Sequence, residues 1–155
     1  MGQGTGYIKQ QSYRSAGKAD NRKHRVIVSL TTTSERIKYI APMLHSLYQQ
    51  SMVPNEICLW ISKEPFLHDK GISPEEIPDK LQELANLKKS QFKIQYTENT
   101  AGYRKLLPVL EKYKNREDVV IITADDDVIY PERWLENLYK QFIEEHFGKG
   151  RQEKA

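Results

Sequence analysis

The stretch VVIITADDDVIYPERW, Val119–Trp134, decides how this chain is read. Its first five residues are all β-branched, the composition of a short strand covered on both faces. The strand is expected over Asp118–Ala124. Three consecutive carboxylates follow, Asp125, Asp126 and Asp127. Pro131 then suits the first turn of a helix that buries Trp134, Leu135, Leu138, Phe142 and Ile143. Like charges at the mouth of a buried strand repel one another, so their placement needs a reason.

Working back along the chain, RVIVSL (Arg25–Leu30) and EICLWIS (Glu56–Ser62) are further buried strands. FKIQYTE (Phe92–Glu98) alternates apolar with polar residues and fits a strand at the sheet edge. Between the first two strands, Ile37, Ile40, Ala41, Leu44, Leu47 and Tyr48 recur at helical spacing. Pro42 lacks an amide proton and would clash with a carbonyl one turn back, so the helix is expected from about Tyr39 to Gln50. KEPFLHDKGISPEEIPDK holds three prolines and a glycine and reads as a long loop. A helix is expected over Asp79–Lys88, and TAGYRKLLPVLEKY reads as a loop and a helix distorted near Pro108.

Strand and helix alternate, which argues for an α/β fold with a Rossmann-like parallel sheet flanked by helices. Four strands fit the order 3-2-1-4. Right-handed crossovers then set the first and fourth strands side by side, with their helices on opposite faces. Ligands of such sheets bind beyond the carboxyl ends of the strands where the order reverses. That point lies between RVIVSL and DVVIITA, and it is where the three carboxylates fall. In extended chain Asp125 and Asp127 point one way and Asp126 the other. The first two form a natural pair for a hard divalent ion such as Mg2+ or Mn2+, with Asp126 left for hydrogen bonding. An acidic turn that complements the next helix is the plainer alternative.

Positive partners are also present. GYRK (Gly102–Lys105) offers Arg104 and Lys105 near a helix start, and Arg36 follows the first strand. Thr31, Thr32 and Thr33 add hydroxyls and amides, and Ser34 suits a helix cap. Cys58 is the sole cysteine, so disulfides within the chain and thiol metal clusters are excluded; it reads as a small core residue. His45, His68 and His146 show no metal-like spacing.

Composition bounds the rest. With 155 residues, 38% hydrophobic and 29% charged, the chain suits one folded domain. No apolar run approaches the ~18 residues of a membrane span. The charge is uneven: residues 1–25 carry six Lys/Arg against one Asp, and residues 26–155 carry 18 Lys/Arg against 20 Asp/Glu. The expected layout is a disordered basic tail (1–24), one folded α/β domain (25–147) and a second disordered tail (148–155). The basic tail is compatible with an anionic membrane surface, but its few apolar anchors favour a disordered leader. A cytoplasmic location follows by elimination, with membrane-peripheral placement as its variant, and no nucleic-acid partner is expected.

Taken as an ordered set, VSLTTTSERIKYIAPMLHSLYQQSMVPNEICLWIS, GYRKLLPVLEKY and IITADDDVIYPERWLENL resemble bacterial family 2-like glycosyltransferases of the GT-A fold. The likeness covers about Val26 to Phe142. It implies a nucleotide-sugar donor, a saccharide or lipid-linked acceptor, and an Asp-x-Asp metal site for Mn2+ or Mg2+. By position Asp125 and Asp127 match that motif, with Asp126 between them as a donor contact. Thr31 and Arg36 match the donor-facing first loop, and Lys105 the basic position of a Lys-Leu-x-Pro element. Where many relatives carry an acidic residue at the end of the second strand, this chain has Ser62 and then Glu64. The family continues beyond the helix after the carboxylates into an acceptor-binding half. The chain therefore reads as a donor-binding half truncated before that region, with no catalytic base assigned and with a partner chain or self-association to complete it. Two alternatives are a non-catalytic nucleotide-binding module, including a remnant that needs a partner, and a magnesium-dependent nucleotidyltransferase.

Overall fold

The computed structural model describes residues 22–89 and 91–148. The tails expected at 1–24 and 148–155 fall almost wholly outside the described residues. At the amino end, however, Arg22–His24 pack on the body. Arg22 donates to the Val53 carbonyl at 2.8 Å, and His24 Nδ1 lies 2.8 Å from the Tyr139 hydroxyl.

Four strands, β1 (Arg25–Thr31), β2 (Glu56–Ile61), β3 (Phe92–Tyr96) and β4 (Val119–Thr123), form one parallel sheet in the order β3-β2-β1-β4. The helices are α1 (Ala41–Tyr48), α2 (Asp79–Leu87), α3 (Leu107–Lys112) and α4 (Trp134–Ile143). The fold is α/β and Rossmann-like. β1 and β2 are buried along nearly their whole length, because each has a strand on both sides and helices above and below.

Strand alternation divides the core. Val26, Val28 and Leu30 of β1 join Ile57, Leu59 and Ile61 of β2 under α1, α2 and α4. Ile27, Cys58 and Trp60 point to the other face, where Val109 of α3 covers them. The expectation that the helices of β1 and β4 lie on opposite faces holds only for α3, which enters β4. The helix that follows β4 returns to the face of α1. Crossover handedness governs connections between parallel strands of one sheet. Among the described residues α4 leads to no further strand, so that rule does not direct it. Side-chain bonds draw it to α1 instead: the Gln50 amide donates to Pro131 O at 2.7 Å, and its oxygen accepts from Leu135 N at 2.9 Å.

Prolines shift the helix starts. The segment expected as one helix from Tyr39 begins as a 3-10 turn at Ile37–Tyr39, and α1 then starts at Ala41 with Pro42 in its first turn. There the missing amide proton costs no helical bond. Pro108 likewise sits in the first turn of α3, behind a 3-10 turn at Ala101–Lys105, and does not distort a longer helix. α4 begins at Trp134, three residues after Pro131, and continues as a π-helical turn over Glu144–Gly148.

β3 lies at one edge of the sheet, as its alternation indicated. β4 lies at the other. Its residues are mostly half-buried, not covered throughout, because only β1 pairs with it. β3 carries Lys93, whereas β4 carries no charge between Val119 and Thr123.

At the amino end of β2, Glu56 is 2% exposed. Its carboxylate accepts from the Cys58 thiol at 2.8 Å, Tyr113 Oη at 2.6 Å and Lys112 Nζ at 3.3 Å, and pairs with Lys93 Nζ at 2.9 Å. Burial pushes this carboxyl up, but the Cys58, Tyr113 and Lys93 hydrogen bonds and the Lys112 charge outweigh it and hold the pKa at about 2. Burial, then Glu56, push the Cys58 thiol far above its ordinary range, so it stays protonated within the core. No helix among the described residues is long and apolar enough to cross a membrane.

Candidate functional site

The carboxyl ends of β1 and β4 lie side by side, and the loops that leave them face each other. β4 delivers Ala124 into register, where its amide donates to Ser29 O at 2.9 Å. The chain then turns and the three carboxylates separate. Asp126 is directed inward and is 8% exposed, whereas Asp125 and Asp127 are exposed. Asp126 Oδ2 accepts from the Thr32 hydroxyl at 2.7 Å and from Arg36 Nε at 2.9 Å. The bond to Asp126 raises the Arg36 pKa, against the opposing effect of burial. Asp125 pairs with Lys105 Nζ at 2.6 Å, and its amide donates to Tyr130 Oη at 2.7 Å.

The three charges are not stacked against one another, because two of them meet cations carried by neighbouring loops. The Lys105–Asp125 pair is partly exposed at both ends and contributes only about 0–1 kcal/mol, whereas Arg36 reaches from solvent to a carboxylate that is itself enclosed.

Thr31, Arg36, Lys105 and the carboxylates are therefore in one region, but they do not all face it alike. The Thr31 hydroxyl donates to Trp60 O at 2.7 Å, within the sheet; the neighbouring hydroxyl, Thr32, is the one that reaches Asp126. Lys105 is held from behind, since Ser29 Oγ donates to its carbonyl at 2.6 Å and Trp60 Nε1 donates to Ser29 Oγ at 3.1 Å. Arg104, offered by the sequence as a phosphate partner, is 2% exposed and paired with Asp69 at 2.8 Å. Its charge is enclosed, whereas Arg36 and Lys105 keep part of their side chains exposed to solvent.

Asp69 had no signal in the sequence. It lies in the long proline-containing loop after β2, with Phe66 and Asp69 forming an isolated bridge. Gly71 closes this loop at φ +81°, where an added Cβ would meet Lys63 O at 2.1 Å. Only glycine meets that requirement without a shift of backbone. Ser62 donates to Thr97 O at 2.7 Å, and Glu64 is exposed. His146 Nδ1 lies 3.0 Å from Phe142 O, at the end of α4. Among the described residues no group of three or more His, Cys, Asp or Glu side chains is placed to share a metal ion. Compared with known proteins, the chain matches no family model, no curated protein and no solved structure.

Proposed function

We propose that the crevice between β1 and β4 binds the diphosphate of a nucleotide-sugar, and that the chain is the donor-binding half of a glycosyltransferase. The observation that carries this reading is the meeting of Arg36, Lys105 and the Asp125–Asp127 carboxylates at the reversal of strand order. A crevice at that place is where α/β sheets take up ligands. Its exposed cations suit phosphate oxygens, and its exposed carboxylates suit a divalent ion.

The donor set fits such an ion in a particular way. Asp125 and Asp127 supply hard oxygen ligands, and two carboxylates with substrate phosphates are the usual environment of magnesium. With Asp126 turned inward onto Thr32 and Arg36, the remaining ligands would be diphosphate and water oxygens. Bound there, Mg2+ or Mn2+ supplies positive charge to a departing nucleoside diphosphate. Arg36 and Lys105 add to that charge by exchanging Asp126 and Asp125 for phosphate oxygens. Thr32 keeps Asp126 oriented. In the transfer the bond from the anomeric carbon to the diphosphate oxygen breaks with its electron pair leaving on the nucleoside diphosphate, the acceptor oxygen takes its place on that carbon, and the acceptor's proton passes to a base not assigned among the described residues. This chain's part is to hold and neutralise the leaving group.

The test is calorimetric titration of uridine diphosphate in the presence of manganese, with guanosine diphosphate in parallel. The unaltered protein is expected to bind one of them in a manganese-dependent manner. The Asp125→Asn/Asp127→Asn double variant should lose at least ~10-fold in affinity, about 1.4 kcal/mol. Equal affinity in the two proteins removes the carboxylates from the site and the proposal with them.

A further inference from the structure

Arg104 and Asp69 form the most enclosed ion pair of the described residues, with side chains 2% and 5% exposed. Both ends are fully engaged. Asp69 Oδ1 accepts from the amides of Ser34 and Gly71, each at 3.0 Å. Its Oδ2 takes Arg104 Nη1 at 2.8 Å and the Asn99 amide at 3.4 Å. Arg104 also donates from Nε to Ala101 O at 3.1 Å and from Nη2 to Thr32 O at 3.0 Å. These partners belong to three loops, those after β1, β2 and β3. The fourth loop, after β4, joins through the Thr32 hydroxyl on Asp126.

Burying two charges carries a desolvation cost that their attraction must repay, and apolar side chains of similar volume often serve stability as well. What an apolar pair cannot do is fix directions. The planar guanidinium with its N–H fork holds Thr32 O, Ala101 O and Asp69 in one geometry, which a lysine ammonium does not reproduce.

We infer that Arg104 and Asp69 are a positioning pair: they lock the loops after β1, β2 and β3 into one arrangement, so that Thr32 reaches Asp126 while the residue next to Arg104, Lys105, reaches Asp125. The locking stands on these contacts alone; its effect on ligand affinity rests on the diphosphate reading above. The pair never touches the ligand. It sets the spacing between the two halves of the crevice, one presenting Arg36 and Asp126, the other Lys105 and Asp125.

The discriminating variant is Arg104→Lys, which retains a charge for Asp69 but loses the fork. Amide hydrogen exchange is followed by mass spectrometry on the ligand-free protein, and manganese-dependent binding of uridine or guanosine diphosphate is measured beside it. Exchange in peptides spanning 31–37 and 123–130 is expected to accelerate at least ~10-fold, with β1 and β2 unchanged. Affinity for the diphosphate should fall ~10-fold. An Asp69→Asn/Arg104→Met protein, whose buried pair is uncharged, should keep strand protection close to that of the unaltered protein and show the same loosened loops. Unchanged loop exchange in Arg104→Lys overturns the inference, as does a uniform acceleration that includes the strands. If the unaltered protein binds neither diphosphate, the donor reading fails, and the exchange result still decides the locking.

Discussion

Two buried carboxylates, Glu56 and Asp69, lie toward opposite ends of β2 and are built alike, yet they hold different kinds of structure. Each is nearly excluded from solvent, and each is surrounded by donors. In both, the donors hold the carboxyl below its ordinary range although burial alone pushes it up. The donors of Glu56 come from framework: Cys58 on β2, Lys93 on β3, Lys112 at the end of α3 and Tyr113 just after it. Those of Asp69 come from loops. One cluster fastens a helix to the sheet. The other fastens loops to one another above it. The same chemistry therefore serves stability at the amino end of the sheet and the shape of the crevice at the carboxyl end.

Replacing Glu56 by Gln should break the framework cluster with the largest effect on stability. The carboxyl titrates near 4.5 in the unfolded chain and at about 2 in the folded one. Folding depresses it, so its contribution is complete above pH 4.5 and is lost as pH falls toward 2. The shift corresponds to about 3 kcal/mol, or roughly 10 °C in melting temperature for a domain of this size. Urea unfolding at pH 7 and pH 3 checks the sign: the gap between Glu56→Gln and the unaltered protein should narrow in acid. A gap independent of pH would show that Glu56 acts through packing and not charge.

Gly71→Ala probes the loop side. A side chain at φ +81° with Lys63 O in its path requires the loop to move, for a loss of about 2 kcal/mol. Because Gly71 N is one of the donors to Asp69, the variant should also loosen the 31–37 segment. Exchange of that segment separates it from Glu56→Gln, which should leave those amides alone. Lys112→Met is the smallest perturbation. Its ammonium lies 3.3 Å from Glu56 and is partly exposed, so the loss should stay below about 1 kcal/mol by thermal melting. A larger loss would mean that the framework cluster depends on its outermost member.

The contrast also marks what could be read from residues in order. Four apolar runs and the turns between them were enough for the sheet order and for the position of the carboxylates, because periodicity and crossover handedness are local or topological rules. The enclosure of Asp126 between two exposed neighbours matches the alternation expected from the sequence, although Asp126 lies three residues past β4 and within a turn. Asp69 and Arg104 are a different matter. Their pairing spans 35 positions and joins a loop without periodicity to a 3-10 turn, so nothing in either segment announces the other. Arg104 and Lys105 look equivalent in GYRK, and only packing assigns one to the interior and the other to the crevice. The face taken by α4 was likewise set by Gln50, two residues beyond α1 and with no pattern of its own.

The outer edge of β4 has a practical consequence for handling. Between Val119 and Thr123 it presents β-branched residues without a lysine, proline or glycine to discourage pairing. Nearby, Tyr103, Leu106, Leu107 and Leu110 are exposed along the approach to α3 and its first turns. Concentrated samples are accordingly expected to show a rising hydrodynamic radius by light scattering, reversible on dilution. Thr123→Lys, which places a charge at the exposed position of the strand, should suppress that rise and lengthen the shelf life of the preparation.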